Sequence, residues 1–196
     1  MEIEEHVPFH QVRLQSDESD TVFTHSSRLK QYHDRVLSSS FPMSREEIWT
    51  WRVGLNVQTI FNLNVSRWDE DEVYTIHNAK NKKCVIRDAC SGAERMRAAE
   101  ELGLIVHYMP TDDMTAPLAW LKRVVDAAEK AIETRPGAVM FHCNAGRGRS
   151  VAAAIALCIK HFGKRSVDYP RYVYRLNQEQ RDTLHEFERE LVGSNV

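Results

Sequence analysis

A cysteine at position 143 is followed six residues later by an arginine, with two glycines between them: His142-Cys143-Asn144-Ala145-Gly146-Arg147-Gly148-Arg149-Ser150. A thiol attacks only as the thiolate, and its free pKa of roughly 8.5 falls when positive charge or a helix N-terminus lies beside it. Both devices are available in this stretch. Arg149 offers a planar fork of donors matched to phosphate oxygens. Residues 151–162 are an apolar run that reads as a buried helix, whose first amides would face back toward an anion in the loop. Gly146 and Gly148 let the backbone curl its N–H groups into a concave nest. Such a cradle suits a thiolate nucleophile working on one phosphate group.

These nine residues resemble the signature loop of the cysteine-dependent protein tyrosine and dual-specificity phosphatases, and a looser similarity of pattern covers most of residues 50–192. The resemblance implies that Cys143 attacks phosphorus and forms a cysteinyl-phosphate, while Arg149 binds two equatorial oxygens. It implies that Ser150 stabilises the thiolate as leaving group in the second step and that His142 braces the loop. Asn144, Ala145, Gly146, Arg147 and Gly148 would complete the substrate cradle with His142. No metal and no cofactor is implied.

The departing alkoxide must be protonated if a thiolate is to displace it at a useful rate. In the family the general acid lies on an upstream loop, here the polar residues 110–116, which hold Asp112 and Asp113. The Asp-x-x-x-Ala-Pro pattern resembles members that place the acid at Asp112. The Pro-x-x-Asp pattern of the plant glucan-phosphatase branch points to Asp113 as the alternative. Arg147 carries specificity information. A cation at this position resembles phosphoinositide and phospholipid phosphatases, and Ala-Gly-Arg-Gly-Arg-Ser is similar to the mitochondrial-type phosphatidylglycerophosphate phosphatases. A second guanidinium raises affinity for polyanions, although a surface pair with an acid such as Asp112 would explain it equally well.

The elements that must hold these groups can be read outward from the loop. Residues 138–141 are an apolar strand feeding Cys143, and Gly163 closes the helix that follows. Residues 57–63 and 104–109 read as further buried strands. Ser44 with Glu47, Ser91 with Glu94 and Asn177 with Gln180 mark three helix starts, the first helix running to about Val53. Pro117 suits a first helical position, and apolar residues at 118, 121, 124, 125, 128 and 132 give one long amphipathic helix. Strands alternating with helices predict an α/β fold: a central, largely parallel twisted sheet covered on both faces, with the loop at the carboxyl end of a central strand. Two alternating runs predict a β-hairpin inserted beside that sheet near residues 72–87. Residues 1–40 read as a partly irregular arm with a solvated acidic run at 16–20, and 41–196 as a single catalytic domain.

Composition narrows the classes. The 196 residues carry a net charge of −2, which gives no reason to expect nucleic-acid binding, and 42% hydrophobic content is enough for one core. The longest apolar run is far short of the ~20 residues a bilayer needs, so peripheral membrane contact is the most the chain would make. The polar start reads as neither signal nor transit peptide, and a thiolate catalyst needs a reducing compartment, so a cytoplasmic address is expected. Nine histidines without i, i+4 pairing predict no metal site. Cys158 reads as a packed core residue, while Cys84 or Cys90 could trap Cys143 as a disulfide. Trp49, Trp51, Trp68 and Trp120 read as core or edge packing.

The leading expectation is a dual-specificity-type protein phosphatase, with a phospholipid, phosphoinositide or phosphoglucan substrate as the alternative. The chain is short and lacks a recognisable phosphotyrosine-gripping segment ahead of residue 57. A catalytically weak phosphate-binding module is the rival from another class, and the intact Cys143, Arg149 and aspartates weigh against it.

Overall fold

Parallel strands buried on both faces should be apolar at consecutive positions, and the strand that ends in the signature loop is. In the computed structural model the backbone is described for residues 10–16, 19–25, 29–42, 44–65, 68, 75–77, 83–86 and 90–193, with side chains for 29–42, 44–65, 68 and 90–193. In chain order the elements are β1 His10–Ser16, β2 Ser19–His25, β3 Lys30–His33, β4 Val36–Ser39, α1 Arg45–Trp49, β5 Val57–Asn62, β6 Thr75–His77 and β7 Lys83–Ile86. They continue with α2 Gly92–Glu101, β8 Ile105–Tyr108, α3 Leu118–Thr134, β9 Ala138–His142, α4 Arg149–Phe162, α5 Pro170–Val173 and α6 Gln178–Gly193.

The main sheet has the order β3-β4-β9-β5-β8. Strands β4, β9, β5 and β8 are mutually parallel, and β3 returns antiparallel along the β4 edge. All five residues of β9 are buried, and they divide between two cores. Val139 and Phe141 pack with Val124, Val125, Ile155 and Leu184 of α3, α4 and α6. Ala138 and Met140 face Ile48, Trp51, Ala98 and Ala99 on the α1 and α2 side. Among these, each fully buried Val, Leu, Ile, Phe or Met side chain contributes about 1.5–3 kcal/mol. The expected α/β architecture is present, with the signature loop at the carboxyl end of the central strand.

Local signals account for most helix boundaries. Ser91 and Glu94 form a complete capping box at α2, and Gly103 leaves that helix at φ 64°. Asn177 and Gln180 exchange reciprocal bonds at the start of α6, 2.9 Å from the Gln180 amide to Asn177 Oδ1 and 3.3 Å from the Asn177 amide to Gln180 Oε1. Ser44 accepts from the Glu47 amide at α1, but the helix expected to reach Val53 widens into a π-type turn over Thr50–Gly54. Pro117 is the residue before α3 rather than its first helical residue. Trp51, Trp68 and Trp120 are core residues, whereas Trp49 is 55% exposed.

The N-terminal expectation needs correction. Residues 1–40 were expected to be a partly irregular arm, yet β3 and β4 are strands of the main sheet and β1 pairs with β2 along its whole length. Strands of four residues containing Lys30, Ser38 and Ser39 carry almost no apolar periodicity, so local sequence could not mark them. The hairpin near 72–87 is present as β6 paired with β7, with Thr75 opposite Val85. Its other neighbour is β1, so it belongs to a separate four-stranded sheet of order β2-β1-β7-β6.

Candidate active site

The chain leaves β9 at His142 and enters α4 at Arg149, so the cradle residues 143–148 are anchored by a rigid element at each end. The His142 carbonyl accepts from the Leu63 amide at 2.9 Å, and the Asn144 carbonyl accepts from the Phe41 amide at 3.1 Å. Gly146 has φ 63°, and a Cβ there would lie 2.6 Å from the Ser40 nitrogen. Gly146 is therefore required, by its left-handed backbone and by the close approach of the Ser39 and Ser40 main chain. At Gly148 a Cβ would meet the end of the Gln180 side chain, Nε2 at 2.5 Å, a contact that side chain can relieve by moving. No side chain caps the N-terminus of α4. Its first amides are thus left for an anion in the loop, in line with the helix dipole.

Cys143 is 3% exposed, and its Sγ lies 3.3 Å from the Ser150 hydroxyl, which is fully buried. That hydroxyl can donate to a thiolate, the role the resemblance implied for Ser150. Arg149 is 2% exposed and satisfies its buried guanidinium with three partners from two other loops. Nη1 donates to the Leu63 and Thr111 carbonyls at 3.2 and 2.8 Å, and Nη2 pairs with Asp113 Oδ1 at 2.8 Å. Because the Asp113 side chain is 68% exposed, this pair adds little to stability. Its consequence is positional: it ties the 110–116 loop to the first residue of α4.

The same loop separates the two aspartates. Asp112 is exposed, and its carbonyl accepts from the Thr115 amide and hydroxyl at 3.3 and 2.9 Å. Immediately after Asp113 the backbone turns through Met114 at φ 65°, an uncommon conformation for a residue with a side chain. Asn177 holds that turn by donating Nδ2 to the Met114 carbonyl at 2.6 Å while its Oδ1 caps α6. Sequence reading saw only the cap. The structure thus brings Cys143, Ser150, Arg149 and Asp113 together, and leaves Asp112 without a bond to Arg149.

His142 sits beneath the loop, fully buried, with its ring stacked on Trp68 at 5.3 Å and flanked by Trp51 at 6.2 Å and the edge of Phe41 at 5.6 Å. Burial, aided by Arg95 and Arg149, pushes its pKa down to about 3, so the imidazole is a neutral brace. Arg147 is exposed, and among the described residues it forms no ion pair, with Asp112 or with any other acid. Asn144 is half-buried and Ala145 exposed.

A further side chain reaches the cradle from a part of the sequence that offered no signal. Lys30 on β3 is buried, and its ammonium donates to the Gly146 carbonyl. Of the remaining cysteines, Cys158 is fully buried and its thiol is pushed up to about 11 by burial, while burial also raises Cys90. The side chain of Cys84 lies outside the described residues. Glu129, Glu133 and His161, not grouped by the sequence reading, converge on one another across α3 and α4. Glu129 is already paired with Lys160 at 2.6 Å and faces His161 at 3.4 Å, so the group reads as an ion-pair cluster. No helix among the described residues is long and apolar enough to cross a membrane.

No family model matches the chain, and no curated protein matches it by sequence. Solved structures do match in three dimensions. Tk-PTP, in a mutant form, is 22% identical with a TM-score of 0.60, over 83% of this chain and 95% of that one. PTPMT1 in complex with PI(5)P is 18% identical with a TM-score of 0.59, over 86% of this chain and 99% of that one. The core catalytic domain of the PP-IP phosphatase SIW14 from S. cerevisiae is 13% identical with a TM-score of 0.52, over 83% and 91% of the two chains. The architecture built up above is therefore the α/β fold of protein tyrosine and dual-specificity phosphatase-like proteins.

Proposed function

We propose that the chain hydrolyses phosphate monoesters through a cysteinyl-phosphate on Cys143, with Asp113 as the general acid and base. The observation that supports this most is Arg149, whose one guanidinium joins the loop carrying the thiol to the carboxylate of Asp113 at 2.8 Å. A substrate phosphate in the cradle takes over the guanidinium from Asp113. The thiolate attacks, the S–P bond forms as the P–O bond breaks, and the Asp113 proton goes to the leaving oxygen. In the second step Asp113 takes a proton from water as that water attacks phosphorus. The S–P bond breaks, and the returning thiolate is met by the Ser150 hydroxyl, 3.3 Å away. Acid quenching during turnover of an aryl phosphate should leave one phosphoryl group on the Cys143 peptide, detected by mass. Its absence at every quench time would remove the covalent route.

Arg147 supports one substrate class over the others. An exposed guanidinium without an acidic partner among the described residues, two positions from Arg149, favours substrates with a second anionic group. Two of the proteins of similar fold are described with such ligands, PTPMT1 with PI(5)P and SIW14 as a PP-IP phosphatase. Arg147→Ala should lower kcat/KM on a phosphoinositide about tenfold while changing aryl phosphate by less than about twofold, the size of one lost charge-assisted contact. Equal loss on both, or a greater loss on phosphopeptides, would return the phosphoprotein reading to first place.

A further inference from the structure

We propose that Lys30 is a positioning residue for the phosphate cradle: its buried ammonium holds the Gly146 carbonyl outward, so that the following amide, the Arg147 N–H, is turned inward. This rests on the reading of residues 142–150 as a phosphate-binding loop. In a trans peptide the C=O and N–H bonds point in opposite directions, and no cis peptide bond occurs among the described residues. A donor on the outer side of the 146–147 peptide therefore aims its N–H at whatever lies on the inner side. Lys30 is that donor. The peptide is wedged as well as tied, because Gly146 rests against the backbone of Ser39 and Ser40 with no room for a Cβ.

The strand carrying the lysine is built to lie under the loop. β3 pairs antiparallel with β4, placing Lys30 opposite Ser38, and its burial alternates so that Lys30 and Tyr32 share the inner face. Tyr32 bonds Ser38 Oγ at 3.1 Å and packs in the same core as Cys143. Burial raises the Tyr32 pKa, and Cys143 is near enough to add to the effect. An ammonium that is 8% exposed carries a desolvation cost that a neutral donor to the same carbonyl would avoid. The charge has a use here: it adds to Arg149 and the α4 N-terminus in attracting an oxyanion to the cradle.

The test compares full-length wild type with Lys30→Met, Lys30→Gln and Lys30→Arg. The readouts are the dissociation constant for vanadate, by calorimetry and as an inhibitor of aryl phosphate hydrolysis, kcat, and the thermal unfolding midpoint. Lys30→Met should weaken vanadate binding about tenfold or more, the scale of a lost hydrogen bond to a charged group, and lower kcat. Lys30→Arg should restore most of both. Lys30→Gln, polar but one atom short of the carbonyl, should behave like Lys30→Met and substitutes for it if that variant does not fold. A merely structural role would lower the midpoint and the active fraction and leave the vanadate constant of the folded protein unchanged. That outcome in either variant overturns the proposal, as does failure of Lys30→Arg to recover affinity. Calorimetry reads vanadate whether or not the wild type turns over, so this inference and the phosphatase reading can fail separately.

Discussion

Cys143→Ser should lower hydrolysis of a small aryl phosphate by about 10⁴-fold or more while leaving vanadate or phosphate binding within a few-fold of wild type. The two halves of this result come from different parts of the site. Turnover depends on a sulfur that can ionise and attack, and removing the nucleophile of a covalent mechanism removes nearly all catalysis except that due to binding. Binding, on the proposed reading, depends on the cradle: the amides of residues 144–149, the Arg149 guanidinium and the N-terminus of α4. Those groups are held by the Phe41, Leu63 and Lys30 contacts, none of which involves the thiol. A serine hydroxyl is smaller than a thiol, and Cys143 sits 3% exposed beside Ser150, so the replacement disturbs packing little. Retained turnover in the variant would mean the hydrolysis belongs to another group. Lost oxyanion binding with an intact fold would mean that the cradle is not where the anion goes.

The division between what could be read in the chain and what could not follows the range of the physics. The loop at 142–150 stands out in the sequence because the residues of the proposed cradle, a cysteine, two glycines and an arginine, lie within a few peptide units of one another. The capping boxes at Ser91 and Asn177 were legible for the same reason. Lys30 was not, since its partner Gly146 is 116 residues away and it stands on a four-residue edge strand with no hydrophobic signature. The strands β3 and β4 were missed with it. Buried Ser38 and Ser39 look polar in sequence, and only pairing with the neighbouring strands explains their presence in a sheet. The aromatic box around His142 draws Phe41, Trp51 and Trp68 from three separate segments, so no local pattern in the sequence could show it.

The proposed acid is the sharpest case of two adjacent residues that spacing cannot separate, and it yields the second large expected effect. Asp113→Asn should lower kcat by about 10²–10³ on substrates with poor leaving groups, within the range general acid catalysis contributes, and much less on an activated aryl phosphate whose leaving group departs unprotonated. Asp112→Asn should change either rate by less than about twofold. Geometry makes the distinction. Neighbouring side chains on a loop project to different sides, and the left-handed turn at Met114, held by Asn177, sends Asp113 toward Arg149 and leaves Asp112 in solvent. The pH profile supplies a second reading, because a carboxyl that must be protonated to donate gives kcat/KM a limb that falls as pH rises. That limb should disappear in Asp113→Asn and persist in Asp112→Asn. If the leaving-group dependence steepens and the limb vanishes in Asp112→Asn instead, the loop must rearrange when substrate binds, with the Asp113–Arg149 pair belonging to the empty site alone.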